Sequence, residues 1–207
     1  MDRRIVLVTG ASRGIGRAAA LALAEAGNHV VCTARSQAAL TKLDDEIRER
    51  SGREATLVPM DMKDGEAIDR LGDALVAKFG RLDGLFGNAG VLGTSGPLTH
   101  VSPPSLQETM DVNLAANWRL IRSMDGLLRK SPAGRALFVT SGAAVRHRAF
   151  WGPYAASKAA LEALVNCYAD EVENTSVRVN LFDPGATRTE MRFKAMPGED
   201  PATLKSP

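Results

Sequence analysis

Thr9-Gly10-Ala11-Ser12-Arg13-Gly14-Ile15-Gly16 is the stretch that decides how the rest of this chain folds. Before it, residues 4–9 (Arg-Ile-Val-Leu-Val-Thr) form a short, mostly apolar, β-branched run, the pattern of a strand buried on both faces. After it, Ile15, Ala18, Ala19, Ala22, Leu23 and Ala26 recur at helical spacing, and Gly27 stands where a helix would be capped. Strand, glycine turn and helix in immediate succession put three glycines at a helix N-terminus. Gly10 permits the tight turn, Gly14 lets backbone N–H groups approach a phosphate, and Gly16 lets the helix pack closely on the strand. The partial positive charge of the helix end favours an anion there. With Ser12 and Ile15 between the glycines, the unit has the form of a pyrophosphate site for a dinucleotide.

Working outward, strands are predicted near 4–9, 29–34, 54–60, 82–87, 135–140 and 176–182. Helices are predicted near 14–27, 36–50, 64–79, 105–130 and 153–172, the 105–130 stretch being long enough to break near Asp111 or Asn113. Regular alternation implies one parallel sheet with right-handed crossovers, an α/β architecture over residues 1–207 read as a single dinucleotide-binding domain that also carries the chemistry. Three loops crowd the carboxyl edge of that sheet: 91–104, 142–152 and the segment from 184. The first, rich in Gly, Pro, Ser and Thr, is expected to shape a substrate pocket.

The end of the second strand chooses between dinucleotides. A free ribose 2′-hydroxyl is usually met there by a carboxylate, and a 2′-phosphate by cations. Here Ala34 is followed by Arg35 and Ser36, and Arg13 of the glycine loop faces the same place. Two charge-assisted hydrogen bonds, each worth about 1.5–3 kcal/mol, would favour NADP over NAD by on the order of a hundredfold or more. The other reading leaves Arg13 and Arg35 solvated and makes Ser36 only the cap of the next helix.

Tyr154 and Lys158 lie four apart on a predicted helix that starts with Pro153 and carries an apolar stripe of Leu161, Leu164, Val165 and Tyr168, so they share one face. A free tyrosine, with a pKa of about 10, is a poor proton carrier near neutrality. A neighbouring ammonium together with the positive ring of an oxidised nicotinamide would lower that value by about 3 units, or about 4 kcal/mol. Ser141 ends the buried-strand pattern Arg135-Ala-Leu-Phe-Val-Thr-Ser141, so its hydroxyl falls at the sheet edge where such folds hold ligands and where it can donate to a substrate oxygen.

These residues together resemble the short-chain dehydrogenase/reductase family nearly from end to end. The glycine motif has that family's TGxxxGxG spacing, Tyr154-Ala-Ala-Ser-Lys158 fits YxxxK, and Ser141 precedes Tyr154 by thirteen residues. Gly87-Asn88-Ala89-Gly90 is similar to the NNAG motif, with Gly87 in place of the first Asn. The resemblance implies a doubly wound Rossmann-type sheet of order 3-2-1-4-5-6 with helices on both faces, and hydride transfer between NADP(H), or less favourably NAD, and a carbonyl or secondary alcohol. It implies that Asn113, Ser141, Tyr154 and Lys158 form the catalytic tetrad, with Asn113 holding a relay water and Lys158 also contacting the nicotinamide ribose. It further implies that Asp61 and Met62 contact the adenine, that Asn88, Ala89 and Gly90 support the adenosine side, and that Pro184, Gly185, Thr187 and Thr189 of the segment from Asp183 bind the cofactor, a threonine of the segment meeting the nicotinamide carboxamide. Members of the family pair as dimers or tetramers through helices corresponding to 105–130 and 153–172, and continue with a further helix and a seventh strand where this sequence ends at Pro207.

Composition is compatible with that reading. Of 207 residues, 44% are hydrophobic and 24% charged, ordinary for a protein with a substantial core. A net charge of +2 without a basic patch gives no reason to expect a nucleic-acid partner. Cys32 and Cys167, without CxxC spacing, read as reduced core thiols of a cytoplasmic protein, and His29, His100 and His147 have no ligand-like company, so no metal is expected. No membrane span or signal sequence is expected either.

Several positions stay open between two readings. Arg146, His147 and Arg148 either attract an anionic substrate or form a solvated loop. Phe150 and Trp151 either wall an apolar pocket or pack on their own loop, and Trp118 belongs to the core or to a helix–helix contact. A dinucleotide sensor with the same fold and no turnover is the alternative from another functional class.

Overall fold

The computed structural model describes residues 3–207. Six strands form one sheet: β1 (Ile5–Thr9), β2 (His29–Ala34), β3 (Thr56–Pro59), β4 (Gly84–Gly87), β5 (Arg135–Val139) and β6 (Arg178–Phe182). Every pairing is parallel and the order is β3-β2-β1-β4-β5-β6, as the resemblance implies. The chain reverses its direction of winding between β1 and β4, and that crevice is where ligands of open α/β sheets sit.

Alternate side chains of each strand feed two cores, which is why the strand patterns read as continuous apolar runs. Leu7, Val31, Leu85 and Phe138 point to one face, packing with Ile68, Leu120 and Leu161. Those residues come from helices α3 (Gly65–Phe79), α5 (Ala116–Arg129) and α6 (Gly152–Glu171). Val6, Val8, Val30 and Cys32 point to the other face, against Leu21, Leu40 and Ile47 of α1 (Gly14–Glu25) and α2 (Gln37–Ser51). Local chemistry sets the helix ends. Ser36 and Asp64 cap α2 and α3 by accepting from Ala39 N and Ala67 N, and Gly52 and Gly80 end them in the left-handed conformation.

The long stretch predicted over 105–130 is one helical rod interrupted by a single wide turn. Helix α4 (Pro103–Met110) passes through a π turn, Asp111–Ala115, into α5. Such a turn inserts an extra residue and re-aims the side chains around it. Asn113 sits inside it, fully buried. Beyond β6, a short helix α7 (Glu190–Ala195) follows the Asp183–Thr189 segment.

One expectation about the core needs correction, that for Cys167, and the two readings of Trp118 narrow to the helix–helix contact. Cys32 is buried, its thiol pushed up to about 12 mainly by desolvation, but Cys167 is exposed. Trp118 is 46% exposed and contributes to neither core cluster. Both lie off the buried stripes of their helices, which run through Asn117, Leu120 and Met124 on α5 and through Leu161, Val165 and Tyr168 on α6. Among the described residues no helix is long and apolar enough to cross a membrane, and no cluster of side chains could hold a metal ion.

Candidate active site

The glycine loop is held from the far side of the switch point. Asn88, just after β4, donates through Nδ2 to the carbonyls of Thr9 (2.9 Å) and Gly10 (3.3 Å). Thr9 Oγ1 in turn accepts from the backbone N–H groups of Asn88 and Ala89, each at 3.0 Å. Gly10 has φ of +64°, and a Cβ there would lie 2.9 Å from Ala89 Cα, so only glycine fits both the turn and the approach. Gly16 is packed against the Gly10 carbonyl and the Asn88 side chain, leaving no room for a Cβ. Helix α1 has neither a capping side chain nor an acidic residue in its first turn. Its N-terminal N–H groups are therefore suited to an anion, the property a pyrophosphate requires.

A cavity of about 470 Å³ runs from this loop in both directions along the sheet edge. Towards β2 and β3 it is lined by Arg35, Asp61 and Met62; near the loop by Gly10, Ser12, Arg13, Gly14, Ile15, Asn88, Ala89 and Gly90; and towards α6 by Ser141, Tyr154, Lys158, Pro184, Gly185, Thr187 and Thr189. Gly16, Ser36 and Asn113 are not on its walls and act from behind them. Ser36 is the cap of α2, the plainer of its two readings. Arg35 is exposed and has no ion pair among the described residues, whereas Arg13 is paired with Glu190 at the start of α7. The cations suited to a 2′-phosphate are thus one free and one shared.

The opposite end is built from buried groups. Tyr154 and Lys158 are only 9% and 3% exposed, on the face of α6 that looks into the sheet edge. Lys158 Nζ donates to the Val139 carbonyl at the end of β5 (2.8 Å) and lies 5.9 Å from the Tyr154 ring centre. Burial lowers the ammonium pKa to about 8. Among the protein's own groups, the phenol's pKa is raised. Burial raises it most, the Ser141 hydroxyl draws it back, and the Asp183 carboxylate raises it further. The protein's own groups therefore hold Tyr154 as a protonated phenol.

Asn113 organises this end without touching the cavity. Its Nδ2 donates to Val91 O and to Ser157 Oγ, both at 2.9 Å, and its Oδ1 accepts from Val91 N at 2.8 Å. Ser157 Oγ donates onward to the Tyr154 carbonyl at 2.8 Å. The π turn, the loop after β4 and helix α6 are thereby joined through one side chain. Both Nδ2 hydrogens of Asn113 are committed, and Oδ1 accepts one of the two hydrogen bonds it can take. A Cβ on Gly90 would sit 3.2 Å from Asn113 Oδ1 and 3.7 Å from Lys158 Nζ, so the glycine keeps that space open.

Around this core, Ser141 Oγ accepts from Ala143 N at 3.2 Å. Trp151 stands edge-on to Tyr154, ring centres 6.0 Å apart, and lines the cavity, while Phe150 is exposed. Arg146, His147 and Arg148 are exposed. Thr187 Oγ1 donates to Pro184 O, and Thr189 Oγ1 caps α7, its methyl resting over Gly14. Sequence reasoning missed Thr9, Ser157 and Asp183. For Ser157 a signal existed, since it lies between Tyr154 and Lys158 on the same helix.

Comparison with known proteins agrees with this geometry. A family model described as short chain dehydrogenase matches residues 4–200. The chain is 40% identical over 209 residues to a curated protein of Escherichia coli K12 named uncharacterized oxidoreductase YciK, covering 100% of this chain and 82% of that one. A short chain dehydrogenase from Shigella flexneri solved in complex with NADP superposes with a TM-score of 0.95 at 39% identity, covering 100% of this chain and 87% of the other. One from Escherichia coli CFT073 in complex with NADPH gives a TM-score of 0.95 at 39% identity, covering 100% and 86%.

Proposed function

This chain belongs to the short-chain dehydrogenase family, and on that premise we propose that it is an NADP(H)-dependent carbonyl reductase or, in reverse, a secondary-alcohol dehydrogenase. The observation that carries the reading is the buried pair on α6, a protonated phenol and an ammonium at the cavity wall, beside a glycine loop fit for pyrophosphate. NADPH, when bound, supplies the hydride to the carbonyl carbon. Gly10, Ser12, Gly14, Ile15 and the start of α1 hold the pyrophosphate, and Arg35, with Arg13, meets the 2′-phosphate. Asp61 and Met62 border the adenine.

Tyr154 donates its proton to the carbonyl oxygen as that oxygen gains negative charge, and Ser141 donates a hydrogen bond to the same atom. A phenol kept protonated by burial suits the direction of reduction. The new O–H bond forms as the phenol loses its proton, and Lys158 stabilises the phenolate left behind. Asn113 holds Val91 and Ser157 in place, so the tyrosine's helix cannot shift relative to the sheet edge. Trp151 screens the phenol from water. The free thiols Cys32 and Cys167 favour a cytoplasmic location, and the half-exposed Leu106 and Trp118 support pairing with a second copy of the chain.

The test follows NADPH oxidation with a panel of aldehydes and ketones, alongside the same panel with NADH. Turnover preferring NADPH is expected. Cofactor binding with no turnover on any compound would favour the sensor instead.

A further inference from the structure

The charged groups on the cavity wall divide into those already paired and those left to meet a ligand. Glu190 is shared by Arg13 and Lys194, Glu108 lies 3.5 Å from Lys63, and Arg192 is tied to Glu199. Asp183 has no ion pair among the described residues, though it lines the same cavity as Ser141 and Tyr154. Its place is well defined. Oδ1 accepts from Gly185 N at 2.9 Å, locking the carboxylate into the turn after β6. Oδ2 faces Gly142, the residue after Ser141, at 3.4 Å from where a Cβ would stand. A fixed negative charge therefore lies beside the two hydroxyls that flank the reacting oxygen. Its charge helps to raise the pKa of the Tyr154 phenol.

A carboxylate held at such a place attracts a cation and repels an anion, and because Asp183 is exposed the effect is largest at low salt, where screening is weakest. We propose that Asp183 selects the substrate by charge, so that the site takes carbonyl compounds bearing a protonated amine close to the reacting carbon and rejects those bearing a carboxylate. The inference rests on the carbonyl-reductase reading and names its substrate class. It also gives a role to the residue in front of Pro184, which nothing in the cofactor site requires.

Three probes matched in size test it with NADPH: 3-(aminomethyl)benzaldehyde, 3-(hydroxymethyl)benzaldehyde and 3-carboxybenzaldehyde. The parent protein should prefer the cation over the neutral compound, and the neutral compound over the anion, by about tenfold at each step in kcat/KM at low salt. Asp183→Asn keeps the acceptor for Gly185 N and should shrink the total cation-to-anion ratio from about a hundredfold to within about threefold. Raising the salt from 0.01 M to 0.5 M should compress the parent's ratio in the same direction, which needs no variant to fold. Reduction of all three at similar rates by the parent, or an unchanged ratio in Asp183→Asn, overturns the inference and leaves the reductase reading standing. Turnover of none of the three overturns that reading as well.

Discussion

At its phosphate end the cleft works with backbone and exposed charge: an uncapped helix start, a loop of glycines, and Arg13 and Arg35 reaching from the surface. At its catalytic end nearly every polar group is buried and already committed. Lys158 is bonded to the Val139 carbonyl, Asn113 to Val91 and Ser157, and Ser157 to the Tyr154 carbonyl. The difference follows from the two tasks. A phosphate keeps its charge throughout and can be held by groups that remain partly hydrated. Proton transfer needs a phenol and an ammonium whose ionisation is tuned, and burial is what tunes them. Recognition is therefore assembled from replaceable parts, and chemistry from a network in which each part fixes the next.

The largest expected effect breaks the catalytic end alone. Tyr154→Phe removes one proton and should lower kcat by about 10²–10⁴-fold, leaving the NADPH dissociation constant within about twofold, as single-turnover kinetics and a fluorescence titration would show. A parallel loss of cofactor affinity would mean that the two ends are not separable.

Lys158→Met sharpens the contrast by setting function against stability. The ammonium titrates near 8 in the folded protein, below the usual lysine value of 10.5, so its charge favours the unfolded chain. That cost is fully present below pH 8 and is relieved as pH rises from about 8 towards 10.5. The methionine variant should lose turnover yet gain up to about 3 kcal/mol of unfolding free energy at pH 7, less whatever the lost bond to Val139 O contributed. Denaturant titrations of parent and variant at pH 7 and pH 10 should show the gap between them narrowing at the higher pH.

Smaller changes belong to the phosphate end. Arg35→Ala should weaken NADPH by roughly 10–100-fold with little change for NADH, the worth of one charge-assisted hydrogen bond. Glu190→Gln removes the carboxylate that shares Arg13, so NADPH affinity should rise by about two- to fivefold. Because that ion pair is exposed, the melting temperature should barely move. If the Glu190 change instead weakens NADPH, the pair with Arg13 clasps the cofactor and does not compete for it.

Most of the fold was legible because its signals are local. A run such as Ile5–Thr9 is apolar on both faces, and the glycines fall at a strand–helix junction, so period and punctuation agree. The misplaced thiol, Cys167, and the core alternative for Trp118 both came from reading type over spacing. Tryptophan and cysteine are usually buried, yet Trp118 and Cys167 sit off the stripes that their own helices bury. The candidate site was legible only as a set of residue types. Thr9, Ser157 and Asp183 lie within or beside recognised motifs that say nothing of their partners, and each acquires its role through a residue distant in sequence: Asn88, Asn113 and the Ser141–Tyr154 pair.

By itself the sequence determined the alternation of strands and helices, the phosphate loop, and the placing of Tyr154 and Lys158 one helical turn apart, since all of these depend on neighbours within a few residues. The tertiary structure decided which way the phenol titrates, that Asn113 works through Ser157 and Val91, and that an unpaired carboxylate stands beside the reacting hydroxyls. Those properties depend on desolvation and on contacts across the sheet edge, and both come into existence only when segments far apart in the chain are packed together.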